Sequence, residues 1–254
     1  MQNDASGCNE TNDELTILPI VPPKDGKPPK KQLHPNIPNI YKGQLLLVVA
    51  PIRSGKSVMW NNLLLNPNYY ENCFEDSQVT IISNTLANDI SSRFSYKRFG
   101  GHELYDDKLI DNFVKKQRER KKAKMDTGFA LIIDDCQGDL NPHGRKGGAA
   151  LRLATRHRHE VSAGDPALFL ISNQKWNGMA TVLRANATGV ILFGNIKSKK
   201  ELDTIREDLA DSIGGGQKFD EMFARAAAIP FAFLYVRLDA TPPEVYLNFK
   251  ERLF

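Results

Sequence analysis

The 254 residues carry 34 lysines and arginines against 30 aspartates and glutamates, a formal net charge of +4 that excludes a histone-like binder whose whole surface neutralises polyanions. Three cysteines, Cys8, Cys73 and Cys136, are far apart and odd in number, which excludes a disulfide framework and a cysteine-based zinc module. No run approaches the roughly 18 to 20 apolar residues of a membrane span, and the acidic, Asn-rich start lacks a signal-peptide layout, so a soluble, intracellular protein with one α/β domain is expected.

Residues 1–40 hold seven of the 14 prolines, interleaved with Lys24, Lys27, Lys30 and Lys31, a composition that predicts a flexible N-terminal arm. Lysines on an extended chain suit phosphates or simple solvation equally. Over residues 41–254, short apolar runs alternate with longer amphipathic stretches, the pattern of parallel strands joined by helices. Strands are predicted at 45–50, 79–83, 129–134, 167–172 and 189–193, each continuously apolar as expected when both sheet faces are covered. A last pair, 231–238 and 245–249, flanks a Pro-containing turn and reads as antiparallel.

The run Ala50-Pro51-Ile52-Arg53-Ser54-Gly55-Lys56-Ser57 follows an apolar strand and precedes a helix-compatible segment beginning at Val58, the context a phosphate loop needs. In such a loop, backbone N–H groups converge on the β-phosphate of ATP, Lys56 supplies a compact charge for the β and γ oxygens, and the Ser57 hydroxyl binds Mg²⁺. Ala50 stands where the first glycine usually does. Further on, 129–134 is an apolar strand ending in Asp134-Asp135, which places acids at the carboxyl edge of the sheet where such folds bind ligands. Asp134 is expected to hold Mg²⁺ through a water. Asp135 reads either as the group that orients or deprotonates the attacking water, or as a helix-capping acid. Gln174, at the tip of the fourth strand, reads as a γ-phosphate sensor or as a turn amide.

Between these, residues 151–160 contain Arg152, Arg156, His157, Arg158 and His159, and an arginine there could enter a neighbour's site as a finger. Arg156 is the first candidate and Arg184 the second; a solvated or capping arginine is the alternative for each. His143, His157 and His159 form no closed zinc set. Residues 115–124 hold seven basic side chains and one acidic, suited to following phosphates without reading bases or to plain solvation.

The strand-loop-helix around residues 49–65, Leu131-Ile-Ile-Asp134-Asp135, Arg156-His157, Ser172-Asn173-Gln174 and Leu183-Arg184-Ala185-Asn186 together resemble the poxvirus-type DNA-packaging ATPases of the FtsK and HerA superfamily, over residues 43–250. The resemblance implies a P-loop NTPase three-layer fold with a mainly parallel sheet of order 5-1-4-3-2. It also implies a homo-oligomeric ring, ATP-driven translocation of double-stranded DNA into preformed capsids, a capsid or portal-vertex partner, and a home in the virion and the host cytoplasm or viral factory. Two other classes compete: a small-molecule P-loop kinase, which needs an acceptor pocket, and a nucleotide-gated scaffold that binds ATP without using it.

Overall fold

The structure is a computed structural model that describes residues 31–86, 89–136, 138–140 and 148–254. Its strands are β1 Gln44–Val49, β2 Val79–Ser83, β3 Phe129–Asp134, β4 Ala167–Asn173, β5 Gly189–Phe193, β6 Phe233–Arg237, β7 Glu244–Leu247 and β8 Glu251–Arg252. They form one sheet in the order β2-β3-β4-β1-β5-β6-β7-β8. The first five pair in parallel and, read from β5, run 5-1-4-3-2 as expected; β6, β7 and β8 continue the sheet antiparallel.

Helices α1 Lys56–Leu65, α2 Arg93–Phe99, α3 Asp107–Lys122, α4 Gly148–Ala154, α5 Thr181–Asn186, α6 Lys199–Leu209 and α7 Gly216–Ala227 cover it. The strands are apolar throughout because alternate residues feed two cores. Leu45, Leu47, Leu131, Ile133, Phe169 and Ile171 face one way, with Phe113 of α3, Leu153 of α4 and Phe223 of α7. Leu46, Val48, Ile132 and Leu170 face the other way, with Met59, Trp60 and Leu63 of α1. Three layers result.

Local signals set the helix directions. Asp106 caps α3 by accepting from the Lys108 N–H at 2.9 Å, and Ile110, Phe113, Val114 and Gln117 are its buried residues, a helical stripe. The helix ends on Arg120, Lys121 and Lys122, cations suited to the negative end of its dipole. Since β3 starts at Phe129, this basic end lies at the amino edge of the parallel strands.

Two expectations shift. Of the predicted arm, residues 1–30 lie outside the described residues, but Ile37 and Ile40 are 1% and 0% exposed and join the α1-side core, so the chain packs onto the domain before residue 41. The strand predicted from 231 begins instead at Phe233. Phe231 adopts φ +62°, outside the extended region, and the Ala232 N–H closes a turn onto the Ile229 carbonyl at 3.2 Å. The Gly194 N–H donates to the Ala232 carbonyl at 2.9 Å, and a Cβ on Gly194 would lie 2.4 Å from the Ala226 backbone; glycine is what lets the end of α7 approach the end of β5.

Candidate functional site

The carboxyl ends of β1, β2, β3 and β4 converge. Ser83, Asp134 and Ser172 stand in register across three adjacent strands, and Val49 is paired with Asn173 one residue further on. From there β1 leads through Ala50, whose N–H donates to the Asn173 carbonyl at 3.0 Å, into residues 51–55 and then α1. Ile52 and Arg53 are exposed at the tip of this loop, and Ser54 is buried. Gly55 caps α1 at φ +94°, a left-handed conformation that favours glycine.

Gly55 offers no capping side chain, and the first intrahelical bond is Met59 N–H to the Gly55 carbonyl at 2.9 Å. The N–H groups of Lys56, Ser57 and Val58 therefore precede the helical ladder, an anion-binding arrangement at the positive end of a ten-residue helix. Ser54 Oγ is buried with no partner among the described residues.

Lys56 turns from the start of α1 toward the acids. Its Nζ lies 3.2 Å from Asp134 Oδ1 and also pairs with Asp135 Oδ2. Asp134 is held on both sides, by the Ser172 hydroxyl donating to Oδ1 and the Ser83 hydroxyl 3.5 Å from Oδ2. Burial pushes the Asp134 carboxyl above the usual carboxylate range, outweighing Lys56 and Ser172; the neighbouring Asp135 adds to the rise. Asp135 itself takes φ +55°, which turns the chain at the end of β3, and its Oδ1 is buried with no partner among the described residues. Cys136 follows; burial pushes its thiol up to about 12, so it is a protonated, unreactive neighbour.

The sequence-predicted residues fall into two groups. Ala50, Pro51, Ile52, Arg53, Ser54, Gly55, Lys56, Ser57 and Val58 form the loop and helix start, with Asp134 and Asp135 beside them. Gln174 directly follows β4, in a bend; its side chain is half-buried, and no hydrogen bond or ion pair among the described residues joins it to Lys56 or the acids.

The two arginines lie elsewhere. Arg156 follows α4 near the start of β4, at the amino edge of the sheet, with its Nε 3.1 Å from Glu160. Arg118 of α3 holds the same carboxylate at 3.3 Å. Arg184 on α5 pairs with Asp208 of α6 and lies over the Trp176 ring at 5.6 Å. Neither arginine joins Lys56, Asp134 or Asp135. His143 lies outside the described residues.

Ser83 escaped the sequence reading. A lone hydroxyl ending an apolar run is an ordinary strand terminus, and only its register with Asp134 gives it a partner.

Where α3 ends, Lys121 donates to the His159 and Val161 carbonyls at 3.0 and 3.1 Å. With Lys42 and Arg158 it lines a pocket of about 280 Å³ at the amino edge. Lys115, Lys116 and Lys122 are exposed and make no ion pair among the described residues. No helix among those residues is long and apolar enough to cross a membrane.

No protein-family model matches the chain, and no curated protein does. Solved structures do. The genome packaging NTPase B204 from Sulfolobus turreted icosahedral virus 2, in complex with sulfate, superposes with a TM-score of 0.55 at 17% identity, covering 81% of this chain and 96% of that one. Its complex with AMPPCP gives 0.52 at 17%, over 80% and 96%. B204, the DNA-packaging ATPase from Sulfolobus turreted icosahedral virus, gives 0.54 at 16%, over 80% and 96%. The likeness is one of fold: a mostly parallel sheet between helical layers with antiparallel strands at its C-terminal end.

Proposed function

We propose that the chain is an ATP-hydrolysing motor subunit that drives double-stranded DNA into a preformed viral capsid. The observation that carries this reading is the contact of Lys56 with both Asp134 and Asp135 beside the uncapped start of α1. The fold supports it, because this arrangement sits in an architecture shared over most of both chains with a protein that packages viral genomes. Assignment to the poxvirus type within the FtsK and HerA superfamily rests on the residue motifs alone.

The residues fit Mg-ATP by their chemistry. Unladdered N–H groups at residues 56–58 and the unpartnered Ser54 hydroxyl offer donors to phosphate oxygens. Ser57 and Asp134 would hold Mg²⁺, which would supply charge neutralisation across the β- and γ-phosphates. Lys56, drawn from its carboxylates by the stronger triphosphate charge, binds phosphate oxygens as a point charge. Losing that cation leaves Asp135 Oδ2 as a free acceptor, able to orient the lytic water and take its proton. Gln174, one position past the carboxyl end of β4, is the candidate that would report the γ-phosphate.

Arg156, at the far edge of its own sheet, can act as a finger only on a neighbouring subunit, which requires a homo-oligomeric ring. The exposed lysines of α3 are the candidates for sequence-independent DNA contact. A capsid or portal-vertex partner, and location in virions and the host cytoplasm or viral factory, follow from the packaging role. Against the kinase reading, β4 stands between the loop strand β1 and the acid strand β3. Steady-state ATPase activity with and without long double-stranded DNA, paired with assembly mass across protein concentration, tests the proposal. Stimulation by DNA in a ring supports it; DNA-independent turnover by a monomer refutes it.

A further inference from the structure

Phe231 is a bulky aromatic residue in a conformation and an exposure that packing does not explain. It is 71% exposed, takes φ +62°, and follows Pro230 in the turn closed between Ile229 and Ala232. Pro at the second position and positive φ at the third are the marks of a type II turn, whose third position favours glycine. A phenylalanine held at positive φ there, against its backbone preference, is the kind of outlier that gathers at ligand-binding sites.

Its position says which ligand. A Cβ on Gly55 would lie 3.5 Å from Phe231 Cδ1 and 3.9 Å from Phe193 Cε1, so the ring rests on the glycine of the phosphate loop. The turn is fixed from behind by the Gly194 N–H donating to the Ala232 carbonyl at 2.9 Å. The sheet order supplies direction. Asp134 and Asp135, at the end of β3, lie on the β4 side of the loop strand β1, and Phe231, at the start of β6, lies beyond β5 on the other side. A nucleotide whose γ-phosphate meets the acids must carry its nucleoside away from them, over β5 and β6.

We propose that the open face of Phe231 is the stacking platform for the base of the nucleotide held at residues 50–58. This rests on the nucleotide reading given above. An aromatic platform suits any base, since each has a π-face, and its loss weakens binding by about tenfold. The ligand class is therefore a nucleoside triphosphate held at both ends, by phosphate and by base.

The test is calorimetric titration of the full chain with Mg-AMPPCP and, separately, with magnesium tripolyphosphate, which has no base. Phe231→Gly fits the turn better than phenylalanine does, so its unfolding midpoint is expected to be equal or higher. Its AMPPCP affinity is expected to fall roughly tenfold while tripolyphosphate affinity holds, and Phe231→Trp is expected to keep both. Equal losses for the two ligands, or none for either, overturn the proposal. So does reduced self-association at unchanged nucleotide affinity, which would make Phe231 a subunit contact. Wild-type protein that binds tripolyphosphate and AMPPCP equally well refutes the platform and spares the phosphate site; wild-type protein that binds neither refutes both.

Discussion

Lys56 Nζ lies 3.2 Å from Asp134 Oδ1, the two side chains 9% and 1% exposed, although 78 positions separate them in the chain. Lys56→Ala is expected to lower ATP turnover by at least about 100-fold while leaving the far-UV circular dichroism unchanged. The variant leaves Asp134 buried next to Asp135 with no cation, which raises its folded pKa further. A carboxyl raised in the folded state contributes stability below its unfolded pKa and loses it as pH climbs through the folded value. Relative to wild type, the fall in unfolding midpoint should therefore be larger at pH 8 than at pH 5.

Asp135 combines φ +55° with its bond to Lys56. Asparagine tolerates the left-handed region, so Asp135→Asn keeps the turn and removes the carboxylate. Single-turnover hydrolysis is expected to drop by about 100-fold or more, at the scale of general-base loss, with Mg-ATP still bound. Loss of binding in step with hydrolysis would make Asp135 a structural acid.

For the arginines, the readout is complementation. If Arg156 is donated across a ring interface, Lys56→Ala and Arg156→Ala subunits are each inactive alone and recover part of the ATPase activity when mixed. No recovery at any ratio removes Arg156 from the site. Arg184, already paired with Asp208 and stacked on Trp176, is expected to cost stability when replaced by alanine, read as a lowered unfolding midpoint.

Much of this arrangement was legible in the sequence. Five runs of β-branched and aliphatic residues predicted five strands, because a sheet covered on both faces permits no polar alternation. The loop and the acid pair were legible because a Gly-Lys-Ser run between strand and helix, and two acids ending an apolar strand, are patterns narrow in residue type and spacing. What lay beyond reach was whatever depends on register or on a single backbone angle. Ser83 meets Asp134 only through pairing of β2 with β3, and Glu160 claims Arg156 only once the chain turns after α4. Phe231 read as the first residue of a strand, since aromatic side chains favour strands and nothing in its identity announces a positive φ. The charged pair Glu251–Arg252 of β8 gave no strand signal at all.

His157 is 2% exposed, with Nδ1 2.9 Å from the Ala154 carbonyl. Burial pushes its pKa below the usual 6.5, and the charges of Arg158 and His159 add to that. A group whose folded pKa is depressed takes up protons more readily when unfolded, so its contribution is complete above pH 6.5 and is lost as pH falls. The unfolding midpoint is expected to fall between pH 7.5 and pH 5, and to fall less in His157→Gln.

On α3 the structure separates committed cations from available ones. Arg118 is engaged by Glu160 and Lys121 by two carbonyls, whereas Lys115, Lys116 and Lys122 are exposed without ion pairs among the described residues. Replacing these three with alanine is expected to weaken binding to double-stranded DNA of any sequence. The slope of log affinity against log salt should shrink by about 0.9 per lysine that touches phosphate. An unchanged slope would move the DNA contact off α3.

The loop at residues 50–57 and the basic end of α3 occupy opposite edges of the same sheet. Strands of five to seven residues at roughly 3.3 Å each put about 20 Å between them, more than twice the screening length of about 8 Å in physiological salt. Between solvent-exposed charges at that separation the direct interaction is largely screened. News of a hydrolysed phosphate would have to travel as displacement through close-packed side chains, and a void cut into that packing, as by Leu131→Ala, is expected to leave nucleotide binding intact while DNA ceases to accelerate turnover.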